Sequence, residues 1–314
     1  MVASTAFVFP GQGSQKVGML AAAGAAFPSV AETFAEASDA LGYNVWELVQ
    51  NGEQDALNLT ETTQPVLLTA SVALWRAYLS AGGHKPAQMA GHSLGEFSAL
   101  VCGGALQFAD AVKLVRQRGS FMQTAVPVGQ GAMAAIIGLD DDVINTTCQQ
   151  VQASGAGVVA AVNFNSPGQV VIAGHTAAVE AAIDALKEAG AKRAMPLPVS
   201  APFQTELMKP AGEKLAVALA DIDISTPAIP VVHNVHARTE QNPERIRELL
   251  VEQIYSPVRW TGCVQAMAAA GAHNIVECGP GKVLSGLSRR IDKSLTSFSL
   301  EEPESLSQAV AELA

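Results

Sequence analysis

The 314-residue sequence predicts an α/β fold, with a mainly parallel sheet in a large subdomain and a smaller inserted subdomain. Short apolar runs alternate with helical patterns towards both ends of the chain, while the middle follows the order strand, helix, strand, strand, helix, strand. A composition of 49% hydrophobic and 15% charged residues provides a substantial core. We expect residues 1–127 and 200–314 to form the large subdomain and residues 128–199 the insert.

The first part of the chain opens with an apolar run, typical of a buried strand, that ends in the glycine-rich loop 10–15. Alanine-rich helical patterns and one further short strand follow it. The predicted strands of this part are 5–9 and 87–90, and its predicted helices are 28–41, 64–81, 94–102 and 107–124.

The middle of the chain has the element order of a ferredoxin-like unit. Its predicted strands are 131–139, 158–163, 169–173 and 193–199, its helices are 141–153 and 177–189, and a turn is expected at 165–168. After residue 200 the α/β pattern returns, with strands at 230–232 and 274–277 and a helix at 243–255. A cleft between the two subdomains is a natural place for a ligand.

Bulk properties exclude several classes of protein. A formal net charge of −10 argues against a general nucleic-acid binder, which is normally basic. Neither a signal peptide nor an apolar run long enough to span a membrane is evident, so we expect a cytoplasmic protein without membrane contact. The cysteines are far apart and form no CxxC pair, which indicates reduced thiols and no metal site; they are Cys102, Cys148, Cys263 and Cys278.

The strongest motif is Gly91-His92-Ser93-Leu94-Gly95, which fits the G-x-S-x-G nucleophile elbow. It lies between a predicted strand and a predicted helix, where such an elbow must lie. The glycines allow a sharp turn that lifts the Ser93 hydroxyl out of the sheet. The helix that follows directs free N–H groups towards an oxyanion formed there. We therefore predict that Ser93 is a nucleophile, against the alternative of a chance glycine-serine turn.

The loop after the first strand supplies a second candidate, Gln12. At the carboxyl edge of a parallel sheet this loop lies beside the elbow, so the backbone N–H groups of Gln12 and Leu94 can form an oxyanion hole. The alternative is a simple strand-end turn. Because its glycines and Lys16 have the wrong spacing, the loop is neither a Walker loop nor a dinucleotide fingerprint.

Arg118 falls in the middle of an apolar helix face, whereas Arg116 falls on the opposite, polar side. That face consists of Ala111, Leu114, Val115, Phe121 and Met122. An arginine facing a core is costly unless an anion meets it. Two interpretations remain open: an ion pair with a buried carboxylate, or a bidentate clamp for a substrate carboxylate.

Five motifs in one order and spacing resemble the malonyl-CoA:acyl-carrier-protein transacylases of bacterial fatty acid synthesis, over essentially the whole chain. These motifs are Gly11-Gln12-Gly13-Ser14-Gln15, Gln64-Pro65, Gly91-His92-Ser93-Leu94-Gly95-Glu96, Arg118-Gly119 and Gly279-Pro280-Gly281. The resemblance implies an α/β-hydrolase-like large subdomain and a ferredoxin-like insert. It also implies that Ser93 carries the acyl group, that Gln12 and Leu94 supply oxyanion N–H groups, and that Arg118 grips the malonyl carboxylate. Gln253 would orient the catalytic histidine through an oxygen, and Met122 and Asn165 would line the pocket.

One position departs from the family pattern, Ser-x-Pro-Phe-His. This chain has Ser200-Ala201-Pro202-Phe203-Gln204, so Gln204 stands where the general base is expected. Phe203 matches the residue associated with malonyl over bulkier branched groups. An amide accepts a hydrogen bond but does not take a proton near neutral pH. His92, His233 and His236 are weak candidates for a substitute base.

The implied reaction transfers malonyl from malonyl-CoA to the phosphopantetheine thiol of an acyl carrier protein through a Ser93 ester, without a metal or redox cofactor. A stand-alone chain favours a role in fatty acid over polyketide synthesis, and we expect a monomer. The alternatives are a serine esterase or thioesterase with His273 as its base, and a non-catalytic carrier-protein binding subunit. Six basic residues could form a local cationic surface, namely Lys192, Arg193, Lys282, Arg289, Arg290 and Lys293. Two interpretations remain open: a surface that is only solvated, or a docking site for an acidic carrier protein.

Overall fold

The computed structural model describes residues 2–199 and 201–314 and separates two sheets, as the sequence predicts. The larger sheet has five strands in the order β7-β2-β1-β8-β9, and all of its neighbouring strands run parallel. These strands are β1 (Val2–Phe9), β2 (Pro86–Gly91), β7 (Val231–Val232), β8 (Asn274–Glu277) and β9 (Thr296–Ser299). The α/β class is therefore confirmed.

Helices cover this parallel sheet. They are α1 (Ala21–Ala26), α2 (Pro28–Leu41), α3 (Val45–Asn51), α4 (Gln54–Leu57), α5 (Thr60–Ser80), α6 (Gly95–Cys102), α7 (Phe108–Thr124), α10 (Lys209–Ala220), α11 (Pro243–Gln253), α12 (Trp260–Ala269), α13 (Val283–Ile291) and α14 (Pro303–Glu312). One buried cluster joins Phe7 and Phe9 to α5 and α7, and a second joins Ala6 and Val8 to α12 and α13. Alternate residues of β1 thus point into opposite layers of the core.

The insert contains an antiparallel sheet in the order β4-β5-β3-β6, with one helix after its first strand and another after its third. Its elements are β3 (Gly131–Ile137), α8 (Asp141–Ala153), β4 (Val159–Ser166), β5 (Gln169–His175), α9 (Thr176–Glu188) and β6 (Arg193–Pro196). This order agrees with the predicted ferredoxin-like unit. A separate apolar cluster fills the space between the sheet and the two helices. The division at 127/128 and 199/200 stays a prediction, which this separate core supports.

Some predicted boundaries were wrong. The expected turn at 165–168 is shorter, because β4 continues to Ser166 and β5 begins at Gln169. The strand expected to reach Val199 ends at Pro196. Several short elements were not predicted, among them β9, α3 and α14, since packing against the large core stabilises short segments that have weak patterns of their own.

The insert is attached to the large subdomain along β4. The Phe164 N–H donates to the Val258 carbonyl oxygen at 3.0 Å, and the Val258 N–H donates to that of Val162 at 2.7 Å. Met133 and Val171 of the insert also join the core cluster of the large subdomain. The insert is thereby fixed beside the carboxyl end of β2, where a cleft forms. No helix among residues 2–199 and 201–314 is long and apolar enough to cross a membrane.

Candidate active site

Ser93 sits on a sharp turn between β2 and α6, with φ of 50°, in the left-handed region that is strained for a side-chain-bearing residue. Close backbone approaches make this turn possible. A Cβ on Gly91 would lie 1.9 Å from the Gly95 carbonyl carbon, and one on Gly95 would lie 2.1 Å from the Phe9 carbonyl oxygen. The strand, turn and helix predicted for the elbow are thus all present.

Asn234, which the sequence analysis missed, holds the strained turn in place. Its Oδ1 accepts the Ser93 N–H at 2.8 Å, and its Nδ2 donates to the Gly91 carbonyl oxygen at 2.7 Å. The only available signal was its position, just after β7, at the carboxyl edge of the parallel sheet.

The Ser93 hydroxyl lies between an amide and a guanidinium. It donates to Gln204 Oε1 at 2.7 Å and accepts from Arg118 Nη2 at 3.2 Å. Gln204 also has a left-handed backbone, with φ of 61°, and its Nε2 donates to the Gln253 backbone oxygen. An imidazole between the same two partners would use one ring nitrogen for each. Gln204 therefore lies where the sequence leads us to expect a serine-activating base, and an amide lacks the proton affinity of one.

Arg118 is fully buried, as the helical wheel predicts, whereas Phe121 of the same predicted face is only partly buried. Its guanidinium donates to two side-chain amides, at 2.8 Å to Gln64 Oε1 and at 2.7 Å to Gln253 Oε1. Among the described residues it forms no salt bridge, and its Nε has no acceptor. Burial lowers the pKa of Arg118 to about 10, so the guanidinium stays charged at neutral pH.

A cavity of about 310 Å³ opens in front of Ser93 and Arg118. Its walls come from the loop after β1, the elbow, the insert and the start of α13. Each predicted substrate-binding or oxyanion residue lines it, namely Gln12, Leu94, Arg118, Met122, Asn165 and Phe203. Ser200, the first residue of the motif that contains Gln204, lies outside the described residues.

The Gln12 and Leu94 backbone N–H groups have no hydrogen-bond acceptor within the described part of the chain. Leu94 directly precedes the first turn of α6, and Gln12 belongs to the loop after β1. The loop is close to the elbow, because a Cβ on Gly11 would lie 2.5 Å from the His92 carbonyl oxygen. Two donors without acceptors beside a serine hydroxyl are the elements of an oxyanion hole.

The neighbouring histidines bind other partners. The His92 ring meets Asn165 Oδ1 at 2.8 Å, and burial lowers the pKa of His92. The His233 Nδ1 lies 2.6 Å from Glu96 Oε1. The hydrogen bonds of the Ser93 hydroxyl within residues 2–199 and 201–314 are those to Gln204 and Arg118, so neither histidine is placed as a base in this arrangement.

His273 is exposed and precedes β8, at the amino end of that strand. The elbow lies at the carboxyl end of the parallel β2, on the opposite edge of the sheet. The base expected for an esterase is therefore far from Ser93. Across the described ranges, no cluster of three or more potential metal-ligating side chains occurs.

A parallel sheet with a serine on a strand–helix turn, a glycine-rich loop beside that turn and an inserted ferredoxin-like unit together point to an acyltransferase. The sequence profile described as "Acyl transferase domain" matches residues 6–301. The "Malonyl CoA-acyl carrier protein transacylase" of Escherichia coli (strain K12) is 60% identical over 305 residues, which cover 97% of this chain and 98% of that protein. The chain belongs to the family of malonyl CoA-acyl carrier protein transacylases.

Solved structures share this fold over their whole length. The malonyl CoA-acyl carrier protein transacylase from Coxiella burnetii superposes with a TM-score of 0.97 at 48% identity, covering 99% of this chain and 98% of that one. A complex described as a type II PKS acyl-carrier protein with its malonyl-transacylase superposes with a TM-score of 0.96 at 54% identity, covering 98% of this chain and 99% of that one. The two-subdomain architecture is therefore that of malonyl-transacylases.

Proposed function

We propose that this enzyme transfers a malonyl group from malonyl-CoA to the phosphopantetheine thiol of an acyl carrier protein through a malonyl ester on Ser93. The observation that carries the proposal is the position of the Ser93 hydroxyl. It faces a cavity that also contains a buried cation, Arg118, and lies beside two free backbone donors. The name of the Escherichia coli relative contains both malonyl CoA and acyl carrier protein, and the solved complex pairs a malonyl-transacylase with an acyl-carrier protein.

Arg118 supports a carboxylated acyl group. A fully buried guanidinium normally needs an anion, and this one meets only neutral oxygens among the described residues. Gln64 and Gln253 hold two of its nitrogens, and Phe97 packs on its face with the ring centre 5.2 Å from Cζ. The malonyl carboxylate supplies the anion in direct contact that Arg118 lacks, and the acyl carbon is then held near Ser93.

In the first half-reaction the Ser93 oxygen bonds to the thioester carbon, and the backbone N–H groups of Gln12 and Leu94 bind the oxyanion. The carbon–sulfur bond then breaks and the serine proton ends on the coenzyme A sulfur. In the second half-reaction the carrier sulfur bonds to the ester carbon, the bond from that carbon to the Ser93 oxygen breaks, and the thiol proton returns to the serine oxygen. No step consumes a redox equivalent.

Gln204 limits the rate of both half-reactions. Its oxygen holds the Ser93 hydroxyl in position, and its Nε2 is anchored on the Gln253 backbone. It takes no proton, whereas a general base typically contributes about 10²- to 10⁴-fold. We expect slow transfer and a long-lived acyl-enzyme, because water also needs a base to hydrolyse the ester.

The exposed surface of α13 and of the residues that flank it is the proposed landing site for the carrier protein. It presents cations without an ion pair in the described structure, namely Lys282, Arg289, Arg290 and Lys293. The amino-terminal part of the same helix lines the cavity through Val283, Leu284 and Leu287. On a chain of net charge −10, this face attracts an acidic partner and brings its thiol to Ser93. A monomer, a cytoplasmic location and a role in fatty acid synthesis stay predictions.

Intact-protein mass after incubation with malonyl-CoA tests the proposal. We expect one malonyl adduct on this chain and none on Ser93→Ala. An adduct on Ser93→Ala would place the nucleophile elsewhere. An adduct that forms equally with neutral acyl-CoA esters and then hydrolyses, without transfer to pantetheine, would favour the esterase alternative.

A further inference from the structure

A fully buried carboxylate, that of Glu96, lies beneath the serine elbow on the first turn of α6. It accepts three hydrogen bonds. The His233 ring donates to Oε1 at 2.6 Å, while the Asn234 N–H at 3.0 Å and Gln253 Nε2 at 3.1 Å donate to Oε2. Such a set of donors stabilises a charged carboxylate inside the core. The reaction as described above uses none of these contacts directly.

Glu96, together with the Ser93 carbonyl oxygen, determines which end of the Gln253 amide faces Arg118. An ionised carboxylate only accepts, so Gln253 must turn its NH₂ group towards Glu96. The same NH₂ donates to the Ser93 carbonyl oxygen at 2.9 Å. The Gln253 Oε1 is therefore left to accept from Arg118 Nη2 at 2.7 Å. If the amide turned over, its NH₂ would face the guanidinium donors.

Glu96 also acts on Arg118 through its charge. Burial lowers the pKa of Arg118, and the nearby negative charge of Glu96 acts in the opposite direction. No direct salt bridge joins the two groups within the described chain. The carboxylate stabilises the cation through the intervening Gln253, while Arg118 itself lines the cavity.

His233 belongs to the same arrangement. Its ring is fully buried, Nδ1 binds Glu96, and Nε2 has no partner among the described residues. A histidine with one committed nitrogen and no route to the Ser93 hydroxyl serves to hold the carboxylate. A series of hydrogen bonds from Glu96 through Gln253 to Arg118 then connects the residues beneath the Ser93 turn with the cavity.

We propose that Glu96 is a positioning residue for acyl selectivity: it fixes the Gln253 amide and thereby holds Arg118 ready for a carboxylated acyl group, with His233 supporting it. This inference rests on the proposed function, since it concerns the selectivity of the same site. It assigns Glu96 an effect on the malonyl carboxylate and none on the coenzyme A part of the ligand.

Calorimetric titration of malonyl-CoA and acetyl-CoA tests the inference. A Ser93→Ala parent blocks acylation, so binding is measured alone. Adding Glu96→Gln keeps the side-chain shape, removes the charge and removes one of the two acceptors that orient the Gln253 NH₂ group, the other being the Ser93 carbonyl oxygen. A misplaced charge-assisted hydrogen bond costs on the order of tenfold in affinity. We expect the malonyl-CoA Kd to rise at least tenfold and the acetyl-CoA Kd to change less than twofold.

Glu277→Gln in the same parent is the matched control, because Glu277 is also a fully buried carboxylate but contacts the start of α13. It should leave the malonyl-to-acetyl affinity ratio unchanged. If Glu96→Gln fails to fold, His233→Leu removes one donor to Glu96 and should lower malonyl-CoA affinity alone, by about threefold or more.

Equal losses for both ligands in Glu96→Gln would reduce Glu96 to a structural residue and overturn the inference. Unchanged affinities for both ligands would overturn it as well, with the proposed function intact. If the Ser93→Ala parent binds malonyl-CoA no more tightly than acetyl-CoA, the proposed function would be overturned, and the inference with it.

Discussion

Restoring histidine at position 204 is the sharpest test of how this chain works. The amide of Gln204 already spans the Ser93 hydroxyl, 2.7 Å from its Oε1, and the Gln253 backbone oxygen. A histidine can use Nε2 for the first partner and Nδ1–H for the second. Histidine also tolerates the left-handed backbone found here, φ of 61°, comparatively well. Gln204→His should therefore add a base without disturbing the site.

The magnitude follows from what the amide lacks. Position and hydrogen bonding are already provided, so only proton transfer is gained. General-base catalysis contributes about 10²- to 10⁴-fold, which corresponds to about 2.7–5.4 kcal/mol of barrier. We expect malonyl transfer to pantetheine to rise at least tenfold in Gln204→His. Its rate should acquire an ionisation near the ordinary histidine pKa of about 6.5.

The assay is the rate of malonyl transfer from malonyl-CoA to pantetheine between pH 5 and 9, with intact mass reporting the acyl-enzyme. Gln204→Leu is the control, since it keeps bulk but neither hydrogen bond, and it should be no faster than the parent. A Gln204→His enzyme that is no faster would mean that another residue already acts as the base. That base would then have to come from outside the present hydrogen-bond partners of the Ser93 hydroxyl, which are Gln204 and Arg118.

Three further predictions follow from buried and surface charge. Arg118→Ala should lose malonyl transfer, since breaking a buried charge pair costs about 3–5 kcal/mol, yet tolerate acetyl better; an unchanged malonyl-to-acetyl ratio would remove Arg118 from the site. Charge reversal at Arg289, Arg290 or Lys293 should weaken transfer to the carrier protein, as should salt, and spare pantetheine; an equal response of both acceptors would exclude a docking face. Burial raises the pKa of Glu277 from 4.5 to about 7, so folded protein binds this proton more tightly than unfolded protein. The free energy of unfolding should then fall by up to about 3 kcal/mol as pH rises from about 4.5 to 7. Denaturant unfolding of Glu277→Gln should lack this pH dependence, and parallel plots of unfolding free energy against pH for the two proteins would contradict the prediction.

Local patterns were enough for the architecture. At the Ser93 elbow, neighbouring backbone atoms lie within 2.5 Å of where a Cβ would be on Gly91 or Gly95, so only glycine fits. This requirement is visible in the sequence as G-x-S-x-G. The insert could be predicted because the apolar residues of each of its strands and helices recur with the spacing of that element. Arg118 was visible for the same reason, as a charge on an apolar helix face. The substitution at Gln204 was visible only against the family pattern.

The sequence by itself therefore determined the α/β class, the insert, the strand–turn–helix around Ser93 and the buried cation, since each depends on residues close together in the chain. Only the tertiary structure decided which distant groups meet. Glu96 and Gln253 are 157 positions apart, and Ser93 and Asn234 are 141 apart. Contacts of this kind form where the carboxyl ends of parallel strands converge, and no local period records them. For that reason the support beneath the elbow, and its link from Glu96 to Arg118, became visible only in the folded chain.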